Sequence, residues 1–302
     1  MTANSITGYL TQLRVALEGS DKAIIQDALS DAEEHLRSAL EIMSADQPDT
    51  PKAEALQAII GEYGAPDEIA AAYREIEAYT QPVLAPAKPR KRGNFFARFF
   101  GIFIDPSAWG SLVYMLISLI TGVLYFCWAF IGVSTLLVFC LFIFGLPLAA
   151  FFVISIRGVA LIEGRIVEAL LGVRMPRRTV FSPADMNWLE RLWAQLKDKQ
   201  TWLMLVYMIL QGALGYIYFT LFIFLISAAL MLMAVPIMSS FGLPIVIFGD
   251  VQYFAPLELL PLTVLVGALL ATLTMHLAKL MGKWHGRFAK FMLVGEFQNI
   301  DQ

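Results

Sequence analysis

The residues that could do chemistry in this 302-residue sequence are few and widely spaced. Asp105 and Trp109 recur at the same spacing as Asp198 and Trp202. Gln211 is the most polar group well inside an apolar stretch, and Phe241, Pro244 and Asp250 lie in a broken one. Lys88, Arg90, Lys91, Arg92 and Arg98 form a basic cluster. Glu34-His35-Leu36-Arg37 sets an imidazole beside a carboxylate, the composition of a phosphate-accepting histidine segment. No glycine-rich nucleotide-binding stretch accompanies it, and an imidazole without a base, acid or metal partner reads as structural or partner-facing. No serine, histidine and acid set, metal-ligand cluster or phosphate loop is spelled out, so neither an enzyme nor a cofactor is expected. Ion-coupled carriers display acids or bases within their spans. Here such groups are expected to be nearly absent from the spans, which disfavours a carrier.

These residues sit in an unusually apolar chain: 58% hydrophobic, 16% charged, with a mean hydropathy of +0.65. That excess over a soluble domain predicts an integral membrane protein. Charge is uneven, with 15 acidic and 5 basic side chains in residues 1–80 against 10 and 17 in the remainder. An acidic soluble domain therefore precedes an apolar one with basic edges. The N-terminal stretch has no apolar run after a basic start, so no cleavable signal is expected and residues 1–80 are placed in the cytoplasm. Cys127 and Cys140 both fall in apolar spans and predict no structural disulfide.

Asp105 to Phe126 reads DPSAWGSLVYMLISLITGVLYF, and Asp198 to Phe219 reads DKQTWLMLVYMILQGALGYIYF. At a constant offset Asp105, Trp109, Tyr114, Gly122 and Tyr125 match Asp198, Trp202, Tyr207, Gly215 and Tyr218. Farther on, Phe144-Gly145-Leu146-Pro147 recurs as Phe241-Gly242-Leu243-Pro244, and Gly164-Arg165 as Gly286-Arg287. The pattern predicts two parallel repeats, about 99–178 and about 184–297, each entering the membrane from the cytoplasm. Asp105 and Asp198 then read as helix N-caps and the two tryptophans as interfacial anchors, with a ligand role as the lesser reading.

The spacing of apolar residues predicts an all-α protein. Residues 1–80 carry four amphipathic segments: Tyr9 to Leu17, Ile24 to Leu40, Ala53 to Ile60 with a left-handed stop at Gly64, and a fourth opening at Pro66-Asp67-Glu68. Residues 81–98 form a proline-rich basic linker, whose cations suit an anionic lipid surface better than nucleic acid. Phe95 to Phe100 is expected as a short interfacial helix. In the membrane domain, 99–302, spans are expected at about 109–130, 131–156, 202–220 and 259–280. Interfacial helices are expected from 158 and around Trp188 to Leu196. Residues 221–258 read as an insertion that breaks the second return helix into a re-entrant or outward-facing hairpin. Four crossings of the bacterial cytoplasmic (inner) membrane leave both termini on its cytoplasmic side.

Two resemblances add to this reading. Tyr9-Leu10-x-x-Leu13, Ala32-Glu33-Glu34-His35-Leu36 and Gly61-Glu62-Tyr63-Gly64-Ala65-Pro66-Asp67-Glu68-Ile69-Ala70 resemble the HAAS domain, a bacterial helical signalling module encoded beside PadR-type regulators. Residues 100–295 resemble the sensor domain that opens many actinobacterial histidine kinases. That likeness rests on Phe144 to Pro147, Gly164-Arg165 through Leu171-Gly172-Val173 with Pro176, Leu196-x-Asp198-x-x-x-Trp202 and Leu293-x-Gly295. Together they imply a membrane sensor of envelope or lipid-phase state that signals through its cytoplasmic bundle. The expected partners are membrane lipids and a cytoplasmic protein such as a PadR-type regulator, with direct nucleic-acid binding not expected and self-association open. The competing reading is an accessory subunit or conduit for lipids or small amphiphiles.

Overall fold

The computed structural model describes residues 5–79, 81–85, 95–139, 145–178, 188–248 and 251–294. The first four helices are α1 (Ile6–Ala16), α2 (Lys22–Asp46), α3 (Lys52–Tyr63) and α4 (Pro66–Tyr79). Their apolar stripes meet in one core built on Tyr9, Leu13, Leu17, Leu29, Leu36 and Ile59. The Asp21 carboxylate accepts the Ala23 N–H at 2.9 Å and caps α2. Glu68 Oε2 accepts the Ala65 N–H at 3.1 Å at the start of α4, one half of a capping box. Gly64 departs from the expected left-handed stop: its φ is 115° but its ψ of 158° is extended. The Tyr9 hydroxyl, donating to the Gly64 carbonyl at 2.9 Å, pins that turn from α1.

The second part contains α5 (Phe95–Phe100), α6 (Pro106–Phe139), α7 (Gly145–Leu171), α8 (Trp188–Lys197), α9 (Lys199–Ser240) and α10 (Leu260–Leu293). Among the described residues three helices, α6, α9 and α10, are long and apolar enough to cross a membrane. A bilayer core needs about 20 helical residues, so α9, with 42 residues, extends well beyond it. Outward side chains such as Ile120, Leu124, Phe224, Leu230 and Leu273 are exposed apolar groups suited to lipid. The chain is a membrane protein.

Several boundaries differ from the sequence expectation. No proline lies between Ile131 and Phe139, and the single Gly132 does not stop the helix, so α6 continues to Phe139 and α7 starts at Gly145. For the same reason residues 158–171 are not a separate surface helix but the second half of α7. Neither does the stretch after Leu221 break the helix, because α9 runs through Pro236 to Ser240. A proline removes one helical hydrogen bond, whereas unravelling the backbone in an apolar medium would strand many. The end of α9 is closed by Leu243 N–H to the Met238 carbonyl at 2.9 Å and Gly242 N–H to the Ser239 carbonyl at 3.0 Å, a Schellman pairing.

The stretch expected as a re-entrant or outward-facing hairpin carries an antiparallel pair of β1 (Val246–Phe248) and β2 (Val251–Tyr253), a small exception to the all-α expectation. Val246, Ile247 and Val251 are β-branched residues that suit extended backbone. Beyond the hairpin α10 does not stop near Leu280 but reaches Leu293.

The packing centres on α6 against α9, with α10 against α9 and α7 against α6. At the crossing, a Cβ on Gly122 would collide with the Gln211 carbonyl, and one on Gly215 with the Ser118 carbonyl. Only glycine allows the two backbones to approach this closely.

Candidate functional site

The centre of the membrane part holds a polar network rather than a purely apolar core. Glu163, on the second half of α7, is 1% exposed, and His285 of α10 is fully buried. Glu163 Oε1 accepts the hydroxyls of Tyr114 at 2.6 Å and Tyr207 at 2.8 Å, while Oε2 accepts Tyr125 at 3.0 Å. His285 Nε2 lies 2.7 Å from the Tyr114 hydroxyl and 3.1 Å from that of Tyr207. Its Nδ1 lies 3.2 Å from the Tyr218 hydroxyl. Gln211 Nε2 donates to Tyr114 at 3.1 Å.

Counting protons assigns the roles. A phenol has one proton to give. With Glu163 ionised, Tyr114 and Tyr207 give theirs to it, and both then accept from His285, which places a proton on Nε2. A neutral imidazole then offers Nδ1 to the Tyr218 hydroxyl. This assignment satisfies an ionised Glu163 with three charge-assisted hydrogen bonds and no cation in direct contact. Adding one proton converts either the carboxylate or the imidazole, and the two are bridged by the Tyr114 and Tyr207 oxygens. The arrangement can hold and redistribute a proton among four helices. The Gln211 Oε1 atom is buried without a partner, the one unsatisfied position at this site.

Flanking ion pairs fix the helix ends. Asp105 caps α6 through the Ser107 N–H at 3.0 Å and pairs with Lys279 of α10. Asp198 caps α9 through the Gln200 N–H at 3.1 Å and pairs with Arg157 of α7 at 2.8 Å. Burial pushes the Asp105 carboxyl up, but hydrogen bonds from Lys279 and Ser107 outweigh it and hold the group below the usual aspartate range.

The bundle meets this part just past the end of α7. Asp27 Oδ1 accepts the backbone N–H of Arg177 at 2.6 Å and of Arg178 at 3.0 Å, and Gln26 Nε2 donates to the Arg178 carbonyl at 3.1 Å. The Arg178 guanidinium pairs with Asp31 at 2.9 Å and Glu34 at 2.6 Å, and Lys290 pairs with Asp21. Burial raises the Asp27 pKa above its ordinary value, against the pull of the two amides and of Arg174 and Arg165.

Of the residues singled out in the sequence, the structure brings Gln211 into the network. Trp109 and Trp202 are 48% and 50% exposed. Each donates its indole N–H to the carbonyl six residues back, Phe103 at 2.9 Å and Leu196 at 2.8 Å. Phe241 is exposed at the far end of α9 with Pro244 beyond it, and Arg98 is exposed on α5. Asp250, Lys88, Arg90, Lys91, Arg92 and Cys140 lie outside the described residues; Cys127 is a free, exposed thiol. Sequence reasoning missed Glu163 and His285, and so expected spans nearly devoid of ionisable groups. The signal was nevertheless present: matched tyrosines supply the phenols, and the Gly164/Gly286 alignment sets Glu163 opposite His285.

Residues 114–293, more than half of the chain, match the family model described as "Putative sensor". The chain belongs to this sensor family. No curated protein and no solved structure matches the chain. The matched region of the sensor domain contains the whole network, from Tyr114 through Glu163 and Tyr207 to His285.

Proposed function

We propose that this chain is a membrane-embedded sensor that responds to envelope or lipid-phase change and signals through its N-terminal bundle to a protein such as a PadR-type regulator. One observation carries the reading: Glu163 ties α7 to the network, and the segment directly after α7 is the one that Asp27 and Glu34 of α2 grip. A stimulus that shifts the packing of α6, α7, α9 and α10 would move Arg177 and Arg178 and thereby change how the bundle docks. The helical bundle with its HAAS-like sequence supports a protein-binding output, and we propose no enzymatic role.

Arg178 and Lys290 pair with the bundle, and Arg157 and Lys279 pair with the caps of α9 and α6; these cations support a cytoplasmic side by the positive-inside rule. With α7 as the fourth crossing, both termini would lie on the cytoplasmic side of the bacterial inner membrane. Reciprocal contacts support the two-repeat origin. Asp105 of the first copy pairs with Lys279 of the second, Asp198 of the second pairs with Arg157 of the first, and Gly122 and Gly215 each meet the other copy's helix.

The test places spin labels on α2 and α8 of the full chain in nanodiscs and compares wild type with Glu163→Gln. Glu163→Gln is expected to change the bundle distance distribution and regulator capture together. Unchanged docking and capture, or lipid flux into liposomes with no regulator bound, would overturn the proposal.

A further inference from the structure

An open depression lies beside the Asp105–Lys279 pair, lined by Arg98, Ile102, Asp105, His276, Lys279 and Lys283. Its cations come from two distant segments, α5 and α10. His276 joins them: its Nε2–H donates to the Phe99 carbonyl at 3.0 Å, and its ring stacks on Phe99 with centroids 5.4 Å apart. Lys279 and Ser107 already engage the Asp105 carboxylate. Arg98 and Lys283, in contrast, have no carboxylate partner among the described residues, and both are exposed. Phe96, Phe100, Ile104 and Leu280 are exposed apolar groups on the same two segments and the turn after α5.

Two cations without a carboxylate partner among the described residues, beside exposed aromatic and aliphatic groups, match the two halves of an anionic phospholipid, a phosphate and an acyl chain. Guanidinium and ammonium groups both bind phosphate oxygens through charge-assisted hydrogen bonds. We infer that this depression binds a phosphate anion, held by Arg98 and Lys283 and presented by an anionic phospholipid headgroup that carries no cation of its own, with the chains along Phe96, Phe100 and Leu280. His276 positions α5 over α10 and so sets the spacing of the two cations. The inference rests on the membrane reading of the chain and not on its signalling to a regulator.

The experiment titrates purified full-length protein, in neutral detergent, with phosphatidylglycerol, phosphatidylcholine or glycerol 3-phosphate and follows thermal unfolding. Wild type is expected to be stabilised by phosphatidylglycerol and not by phosphatidylcholine. The double variant Arg98→Gln/Lys283→Gln should need at least about fivefold more of the anionic lipid for the same shift, the scale of losing charge-assisted contacts. Both positions are exposed, so the variant keeps its core, and its unliganded unfolding temperature checks this. If glycerol 3-phosphate stabilises the wild type as well, the phosphate site stands and its ligand is soluble. Equal responses of wild type and variant to phosphatidylglycerol, or equal stabilisation by phosphatidylcholine, would overturn the site. Loss of regulator capture with the lipid response intact would remove the signalling reading alone.

Discussion

At the scale of single residues, Glu163 and Gln211 occupy the same network with opposite consequences. Glu163 is the acceptor for three phenols, so Glu163→Ala would leave Tyr114, Tyr125 and Tyr207 without their shared partner in a buried site. Each unsatisfied group costs about 1–3 kcal/mol, and a drop in unfolding temperature in detergent should be large. Gln211→Leu removes one donor to Tyr114 but also removes a carbonyl that has no partner. Its net cost should stay below about 1 kcal/mol on the same scale. Comparable losses from the two substitutions would contradict the assignment of Glu163 as the hub.

At the scale of elements, the α6–α9 crossing is set by backbone contact rather than by side-chain fit. Gly122→Leu or Gly215→Leu would force a side chain into the opposing carbonyl, and over-packing of this kind costs about 1–3 kcal/mol or more. The crossing also determines the network, since Tyr114 and Tyr207 reach Glu163 only while α6 and α9 remain close. Cysteine cross-linking between α6 and α9 is therefore expected to fall in either variant, with Tyr114 becoming accessible to polar reagents. Unaltered cross-linking would show that the helices can separate without loss.

At the scale of the whole molecule, the acidic bundle is held to the membrane part by a patch where Asp27 faces the Arg177 and Arg178 amides and the charges of Arg165, Arg174 and Asp31. Burial raises the Asp27 pKa in the folded, docked protein above its ordinary value, so its contribution to stability is full below the ordinary aspartate range and is lost as pH rises through the raised value. Asp27→Asn keeps the carbonyl that accepts both amides without the cost of burying a charge. It should dock at least as tightly as wild type near neutral pH and lose this part of the pH dependence; Asp27→Leu should release the bundle. Distances between labels on α2 and α8, measured across pH for the three proteins, check the order. A weaker Asp27→Asn would mean that the carboxylate charge itself holds the contact.

The division between what was readable in the chain and what was not follows from the range of the forces involved. The apolar excess, the acidic bundle with its helix stripes, the aspartate caps and the matched stretches all depend on residues near one another in sequence, and they were legible there. The ends of α6, α7, α9 and α10 were not. Pro236 and the charges after Ile156 look like boundaries until packing gives the helix somewhere to put them. The network was hidden for a related reason: Glu163 and His285 look like solvated charges at span ends, and only the crossing of α6 and α9 brings four tyrosines around them. The sequence by itself determined a membrane protein with an acidic helical bundle and two similar helices. The tertiary structure alone decided that these helices enclose a shared polar network, because hydrogen bonds between residues as far apart as Tyr114 and His285 exist only once the chain has packed.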